Sequence, residues 1–232
     1  MPGMRRWQRL FFGSLGSFGK MEFLLEKEWT KETMDSNAMF KLGYGLYVLT
    51  AKDGKDNGCI VNTVMQITDT PNRIVVTVNK LNLTHDMIQK TKEFNISILT
   101  ENSSFAVFEH FGFQSGRDAD KFSGYSDCQR TENGIYYITE GTNAVISGKV
   151  IESIDCGTHT TFIADVTDAK VLNQDTSATY DYYHKNIKPK PQETKKSGYR
   201  CKICGYIYEG DELPEDFICP LCKHGVSDFE KI

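Results

Sequence analysis

At 232 residues the chain has room for one ordinary domain of about 150 residues and a small second one. A composition of 39% hydrophobic and 25% charged residues with a formal net charge of −4 is that of a globular protein and excludes the basic footprint of a nucleic-acid binder. No apolar run approaches the roughly 18 residues of a membrane span, so none is expected. Seven cysteines, four packed into the last 32 residues and three (Cys59, Cys128 and Cys156) scattered singly, suit a reducing cytoplasm better than a disulfide scaffold.

Residues 1–33 read as an N-terminal extension, flexible or a misassigned start. Arg5 and Arg6 ahead of the apolar stretch 10–18 imitate a secretion signal, but glycines and serines dilute it and no cleavage site is evident. A compact pattern begins near Met34. Strands are expected at 46–50, 59–66, 74–79, 94–99, 144–154 and 161–171, where Val, Ile, Thr and aromatic residues lie between turn residues such as Asp53-Gly54 and Pro71-Asn72. Helices are expected at 84–92, behind Thr84 as cap, and at 104–110. Short strands with few helices make residues 34–185 a mainly antiparallel β domain, a barrel or sandwich rather than a parallel sheet. Residues 186–198, with Pro189 and Pro191, read as a semi-rigid linker reaching up to about 40 Å at about 3.1 Å per residue.

The remaining residues, 199–232, carry Cys201-x-x-Cys204 and Cys219-x-x-Cys222. Two such pairs facing each other supply four thiolates at the corners of a tetrahedron, a geometry that suits zinc or a single iron. Gly205 lets the backbone turn so that amides point at sulfur. By spacing alone, an inert zinc clip and an iron site stand level. Tyr199, Tyr206, Tyr208, Phe217 and Phe229 would add an aromatic shell that keeps water from the metal. The string Cys-Lys-Ile-Cys-Gly-Tyr-Ile-Tyr-Glu-Gly-Asp at 201–211, with Leu213-Pro214 and Cys219-Pro220-Leu221-Cys222, resembles the rubredoxin family, which implies one iron on Cys201, Cys204, Cys219 and Cys222. The 14 residues between Cys204 and Cys219 match the shortened modules attached to rubrerythrins.

Upstream, Tyr44-Gly45-Leu46-Tyr47-Val48, Asn57-Gly58, the 61–66 segment, Asn82-Leu83-Thr84-His85, the 115–122 segment and Gly157-Thr158-His159 follow one another in an order that resembles the flavin reductase family. The resemblance implies an FMN-binding antiparallel split β-barrel with a few short helices, working as a homodimer. Thr84 at a helix start offers a hydroxyl and free amides to a phosphate, with Lys80, Asn82 and His85 beside it; read alone, Thr84 is a plain cap. The resemblance places Asn62, Thr63, Val64 and Gln66 against the flavin ring, and Arg117 and Lys121 near the flavin and dimer contact. Read alone, those two are a solvated charge pair. It puts His159 at the nicotinamide face as the catalytic candidate, although hydride transfer needs only alignment of two rings. The three scattered cysteines read as small core hydrophobes.

Together the two parts resemble the flavin reductase and rubredoxin fusions called high-molecular-weight rubredoxins. That likeness implies an oxidoreductase passing electrons from NADH or NADPH through FMN to iron, then to an acceptor such as a flavodiiron O2 or NO reductase or a rubrerythrin. Two other readings are a reductase that releases reduced flavin, and a non-enzymatic flavin-binding protein clipped by zinc.

Overall fold

The computed structural model describes residues 35–189 and 198–232. The extension 1–33 and the linker centre, 190–197, lie outside the described residues. Ser36–Lys41 form a short 3-10 turn. From Gly43 onward the chain forms β1 (Tyr47–Asp53), β2 (Lys55–Val61), β3 (Val64–Asp69), β4 (Asn72–Asn79), α1 (Leu83–Thr91), β5 (Glu93–Leu99), α2 (Phe105–Gly112), β6 (Cys128–Arg130), β7 (Tyr136–Ile138), β8 (Thr142–Asp155), β9 (His159–Val171) and α3 (Tyr180–Tyr182). A wider helical turn, Tyr183–Ile187, follows α3, so the expected linker begins inside it.

Seven strands pair antiparallel in the order β2-β1-β5-β8-β9-β4-β3. The sheet curls: the Tyr47 hydroxyl of β1 stands 3.5 Å from the Val64 carbonyl of β3, at the far edge. This is the mainly β, antiparallel architecture expected from the strand pattern. β4 shows the expected alternation, with Ile74, Val76 and Val78 buried and the residues between them turned outward. In β1, by contrast, Val48, Leu49, Thr50 and Ala51 are all buried. Leu49 and Ala51 join the core inside the curled sheet, whereas Leu46 and Val48 face a second cluster with Val107, Phe108 and Phe111 of α2. A strand covered on both faces needs a continuous apolar run.

The residues expected as one strand at 59–66 are divided. β2 and β3 occupy opposite edges of the sheet, and Asn62-Thr63 carries the chain from one to the other. Strand-forming residues on both sides of Asn62 mask the crossing, which the curl of the sheet permits. The hairpin of β6 and β7 was not expected, because strands of three residues show no periodicity. It is anchored on the sheet by Asn95 Nδ2 donating to Ile135 O at 3.0 Å and by Ile138 N donating to Ser97 Oγ at 2.9 Å. Of the scattered cysteines Cys59 is buried and Cys128 is half-buried against the second core cluster, but Cys156 is exposed and is not a core hydrophobe.

Gly148 of β8 lets the tip of the Phe94 ring approach the strand closely: a Cβ there would stand 2.5 Å from Phe94 Cζ. Phe94 is fully buried. Gly148→Ala is therefore expected to cost about 1–3 kcal/mol through overpacking, read as a lower denaturant midpoint at unchanged slope.

Residues 198–232 form a three-stranded sheet, β11-β10-β12, from β10 (Tyr199–Cys201), β11 (Ile207–Tyr208) and β12 (Phe229–Lys231). Phe217 is its hub, with ring centroids 4.8 Å from Tyr208, 5.5 Å from Phe229 and 6.3 Å from Tyr206. So few residues bury little apolar surface, and a domain this small ordinarily needs a metal or disulfides to fold.

Candidate functional site

The four cysteines of the C-terminal part converge. Each pair closes a tight turn of the same form: Gly205 N donates to Cys201 O at 2.8 Å, and Lys223 N to Cys219 O at 2.9 Å. The residue after the second cysteine is left-handed in both, with φ +80° at Gly205 and +63° at Lys223. Cys201 and Cys219 are buried, Cys204 and Cys222 half-buried, and all four Sγ atoms lie within 4.8 Å of one another. Cys201 Sγ is 3.5 Å from Cys222 Sγ, and Cys204 Sγ is 3.4 Å from Cys219 Sγ. A tetrahedral ion with metal–sulfur bonds of about 2.3 Å needs sulfurs about 3.8 Å apart, so the set fits such an ion.

The acid–base chemistry agrees. As thiols, the group ionises unevenly: the Cys222 thiol, hydrogen-bonded to Cys204, brings Cys204 down to about 5. Burial lifts Cys219 to about 11, and the bond to Cys204, together with burial, pushes Cys222 strongly upward. Four thiolates this close coexist only around a cation.

The second group of residues lies along β4 and the loop into α1. Thr63 and Thr77 are tied by two bonds, Thr63 Oγ1 to Thr77 O at 3.0 Å and Thr77 N to Thr63 O at 3.1 Å. Val64 pairs with Val76 across the ladder, and Asn62, half-buried, precedes them in the crossing. Gln66 sits further down, opposite Ile74, exposed and bonded to Asn72 Oδ1 at 3.0 Å. Val64 and Gln66 border an apolar hollow of about 280 Å³ with Tyr47, Met65, Ile146 and Val166.

At the other end of β4, His159 pairs with Asn79, and Lys80 N donates to Thr158 O at 3.1 Å. Lys80 Nζ is 2.6 Å from Asp155 Oδ1, a contact that holds the Asp155 carboxyl below its ordinary value. His159 is half-buried with Nδ1 2.9 Å from Thr158 Oγ1. Desolvation, reinforced by His224, pushes its pKa below that of free histidine and favours the neutral ring.

Three expectations are corrected here. Asn82, not Thr84, is the N-cap of α1, and it caps with no side-chain bond. Thr84 is fully buried, its hydroxyl accepting from Asn57 Nδ2 at 2.9 Å, so what it can offer an anion is the backbone amide of a first helical turn. Arg117 and Lys121 are not a solvated pair. Arg117 donates to Asp86 Oδ2 at 2.7 Å, on α1. Lys121 is 2% exposed, and its Nζ donates to Gly58 O and Phe111 O, each at 2.9 Å. A charge in a glycine-containing loop reads as solvated unless the fold is known.

Two residues beyond the expected set complete the cluster. Asp86 joins His85 to Arg117: its carboxylate is 3.0 Å from His85 Nδ1, and the Arg117 hydrogen bond, chiefly, holds its pKa down. His85 Nε2 lies 2.9 Å from Thr160 Oγ1, tying α1 to β9. Asn57, 2% exposed, places its Oδ1 where a Cβ on Gly116 would come within 2.2 Å, and among the described residues that oxygen has no partner. The 115–122 loop, the start of α1 and the start of β9 thus meet in one polar cluster.

Comparison with known proteins assigns both parts of the chain to families. Residues 39–190 match the flavin reductase like domain family, and residues 199–230 match the rubrerythrin, rubredoxin-like domain. The chain is 40% identical to the high molecular weight rubredoxin of Moorella thermoacetica, covering 86% of this chain and all of that protein. It is 36% identical to a ferric-chelate reductase (NAD(P)H) of Archaeoglobus fulgidus over 69% of this chain and 95% of the relative. Among solved structures, an NADH:FAD oxidoreductase of Streptomyces globisporus superposes with a TM-score of 0.55 at 19% identity, covering 62% of this chain and 84% of that one, a likeness of fold.

Proposed function

Because this chain belongs to the flavin reductase family and joins that domain to a rubredoxin-like one, it is a flavin-dependent oxidoreductase, and we propose that its flavin is FMN, its donor NADH or NADPH and its internal acceptor a single iron on Cys201, Cys204, Cys219 and Cys222. One observation carries the reading: a sulfur tetrad of the right size for one ion lies in the same chain as a reductase fold. The named activity of the Archaeoglobus relative, NAD(P)H-driven reduction of ferric iron, supports the donor.

When bound, FMN supplies acceptance of electrons in pairs and their release singly, and iron supplies a one-electron store. The chain's part is to bind and orient. Asn62, Thr63, Val64 and Gln66 would line the ring, with Val64 and Gln66 bordering the apolar hollow. Lys80, Asn82 and the first-turn amides at Thr84 and His85 would hold the phosphate. Arg117 fixes the 115–122 loop against α1 through Asp86, and Lys121 holds that loop to the sheet from inside. His159, kept neutral, would border the nicotinamide without adding charge.

We take residues 34–185 as the flavin domain, 186–198 as the linker and 199–232 as the iron domain, preceded by the 1–33 extension, in a cytoplasmic homodimer. A flavodiiron protein or a rubrerythrin would receive the electrons. Metal analysis and a visible spectrum of the purified protein test the cofactors: one iron and one FMN per chain are expected, whereas stoichiometric zinc with no iron–thiolate colour would defeat the electron-carrier reading.

A further inference from the structure

The turn after α3 brings a positive charge to the four-cysteine centre from outside the C-terminal module. Lys188, half-buried, donates from Nζ to the carbonyl of Ile203 at 3.3 Å, inside the Cys201–Cys204 turn. The same ammonium would stand 3.7 Å from a Cβ on Gly205. Burial pushes its pKa down, while Cys204, Cys201 and Cys222 pull it back up, which places it in electrostatic reach of three of the four sulfurs. Arg200, Lys202 and His184 border the adjoining hollow of about 240 Å³.

The segment that carries Lys188 belongs to the core of the larger domain. Tyr183 is buried, with its ring 4.5 Å from Phe108 of α2, and Tyr180 packs on Tyr183 at 6.5 Å and on Tyr44 at 6.3 Å. Tyr180 feels the same cysteines: burial first, then Cys222, Cys204 and Cys201, raise its phenol. The Tyr180–Lys188 stretch therefore forms the seat on which the cysteine module rests.

We propose that Lys188 is a positioning residue for electron transfer, a fixed positive charge presented by the flavin domain that raises the reduction potential of the iron in the docked module. The inference rests on the electron-carrier reading above. Four thiolates leave an Fe(III) centre with one net negative charge and the Fe(II) centre with two. One electron arrives from the reduced flavin, and no bond forms or breaks. A nearby cation stabilises the more negative product. Because Lys188 is outside the module, this stabilisation exists only while the module is seated, so the iron is the better acceptor when docked.

The test is an equilibrium redox titration of the full holoprotein with mediator dyes, following the iron–thiolate bands and the flavin bands together. At a fixed potential, Lys188→Gln is expected to lower the Fe(II) to Fe(III) ratio about threefold to tenfold, tenfold being 59 mV for one electron. Lys188→Glu should shift it further in the same direction. Lys188→Arg should stay within twofold of the wild type, and the flavin bands should titrate unchanged in all three. Glutamine removes the charge and keeps an amide donor on a stem one atom shorter, while arginine keeps the charge on a stem of different length, so an iron potential that follows charge rather than length separates an electrostatic role from a purely structural contact. An iron ratio within twofold of wild type in both Lys188→Gln and Lys188→Glu overturns this inference and leaves the carrier reading standing. A wild-type chain without iron–thiolate bands overturns both.

Discussion

Cys219→Ser is expected to strip the metal from the C-terminal module and unfold it, while the flavin domain keeps its fold and its flavin. Cys219 is fully buried at the centre of the sulfur set, and its amide ties the second turn through His224 O at 2.8 Å. A serine hydroxyl there stays protonated at neutral pH and contributes no anion to the ion. Structural four-ligand sites contribute an apparent folding free energy on the order of 10–16 kcal/mol, far more than the Phe217 aromatic cluster can replace in so small a unit. Metal content should fall from about one per chain to under about 0.2. Limited proteolysis should then cut within 198–232 while the larger fragment retains its yellow colour. Full retention of metal by the variant would mean that three cysteines suffice and that the sulfur tetrad is not the binding unit.

The second large effect is expected from Lys121→Met. Its ammonium satisfies two carbonyls, Gly58 O in β2 and Phe111 O at the end of α2, where neither meets water. Methionine fills the channel of the lysine stem but leaves both carbonyls unpaired. At about 1–3 kcal/mol for each unsatisfied group, less the gain from not burying an ammonium, the loss is expected at about 2–4 kcal/mol, or roughly 5–12 °C in melting temperature. Arg117→Ala in the same loop removes an ion pair with about half-exposed partners, and is expected to change stability by under about 1 kcal/mol. Its readout is the Asp86 carboxyl, whose pKa should rise once its main stabilising partner is gone. Equal melting temperatures for the two variants would contradict the buried role of Lys121.

These two residues mark how far a sequence can be read. The cysteine site was legible in full because a metal turn is local: two ligands three positions apart, a left-handed residue after the second, and a repeat of the same unit suffice to define it. The strands were legible where one face is buried, as in β4, and blurred where both are, as in β1. The crossing at Asn62-Thr63 is hard to read because a single Asn between two strand-forming runs is a weak turn signal, and only a curled sheet brings its two edges within two residues of each other. Lys121 reads as solvated, or by resemblance as near the flavin, since nothing local distinguishes a lysine that reaches inward from one that reaches out. Lys188 reads as part of a linker for the same reason: its partner, Ile203 O, is a backbone atom in the other domain. Thr84 shows a subtler limit, because a threonine two places inside a helix has the same neighbours in sequence as one that caps it.

Electrons entering at the flavin domain are expected to reach the four-cysteine centre of the same molecule. An anaerobic titration of the full holoprotein with NADH or NADPH, followed by visible spectroscopy, measures this directly. Two electrons for each flavin and one for each iron predict that about 1.5 equivalents per chain bleach the flavin and iron–thiolate bands together. If about one equivalent bleaches the flavin and the iron band stays oxidised, the two domains are not in electronic contact and the account is wrong.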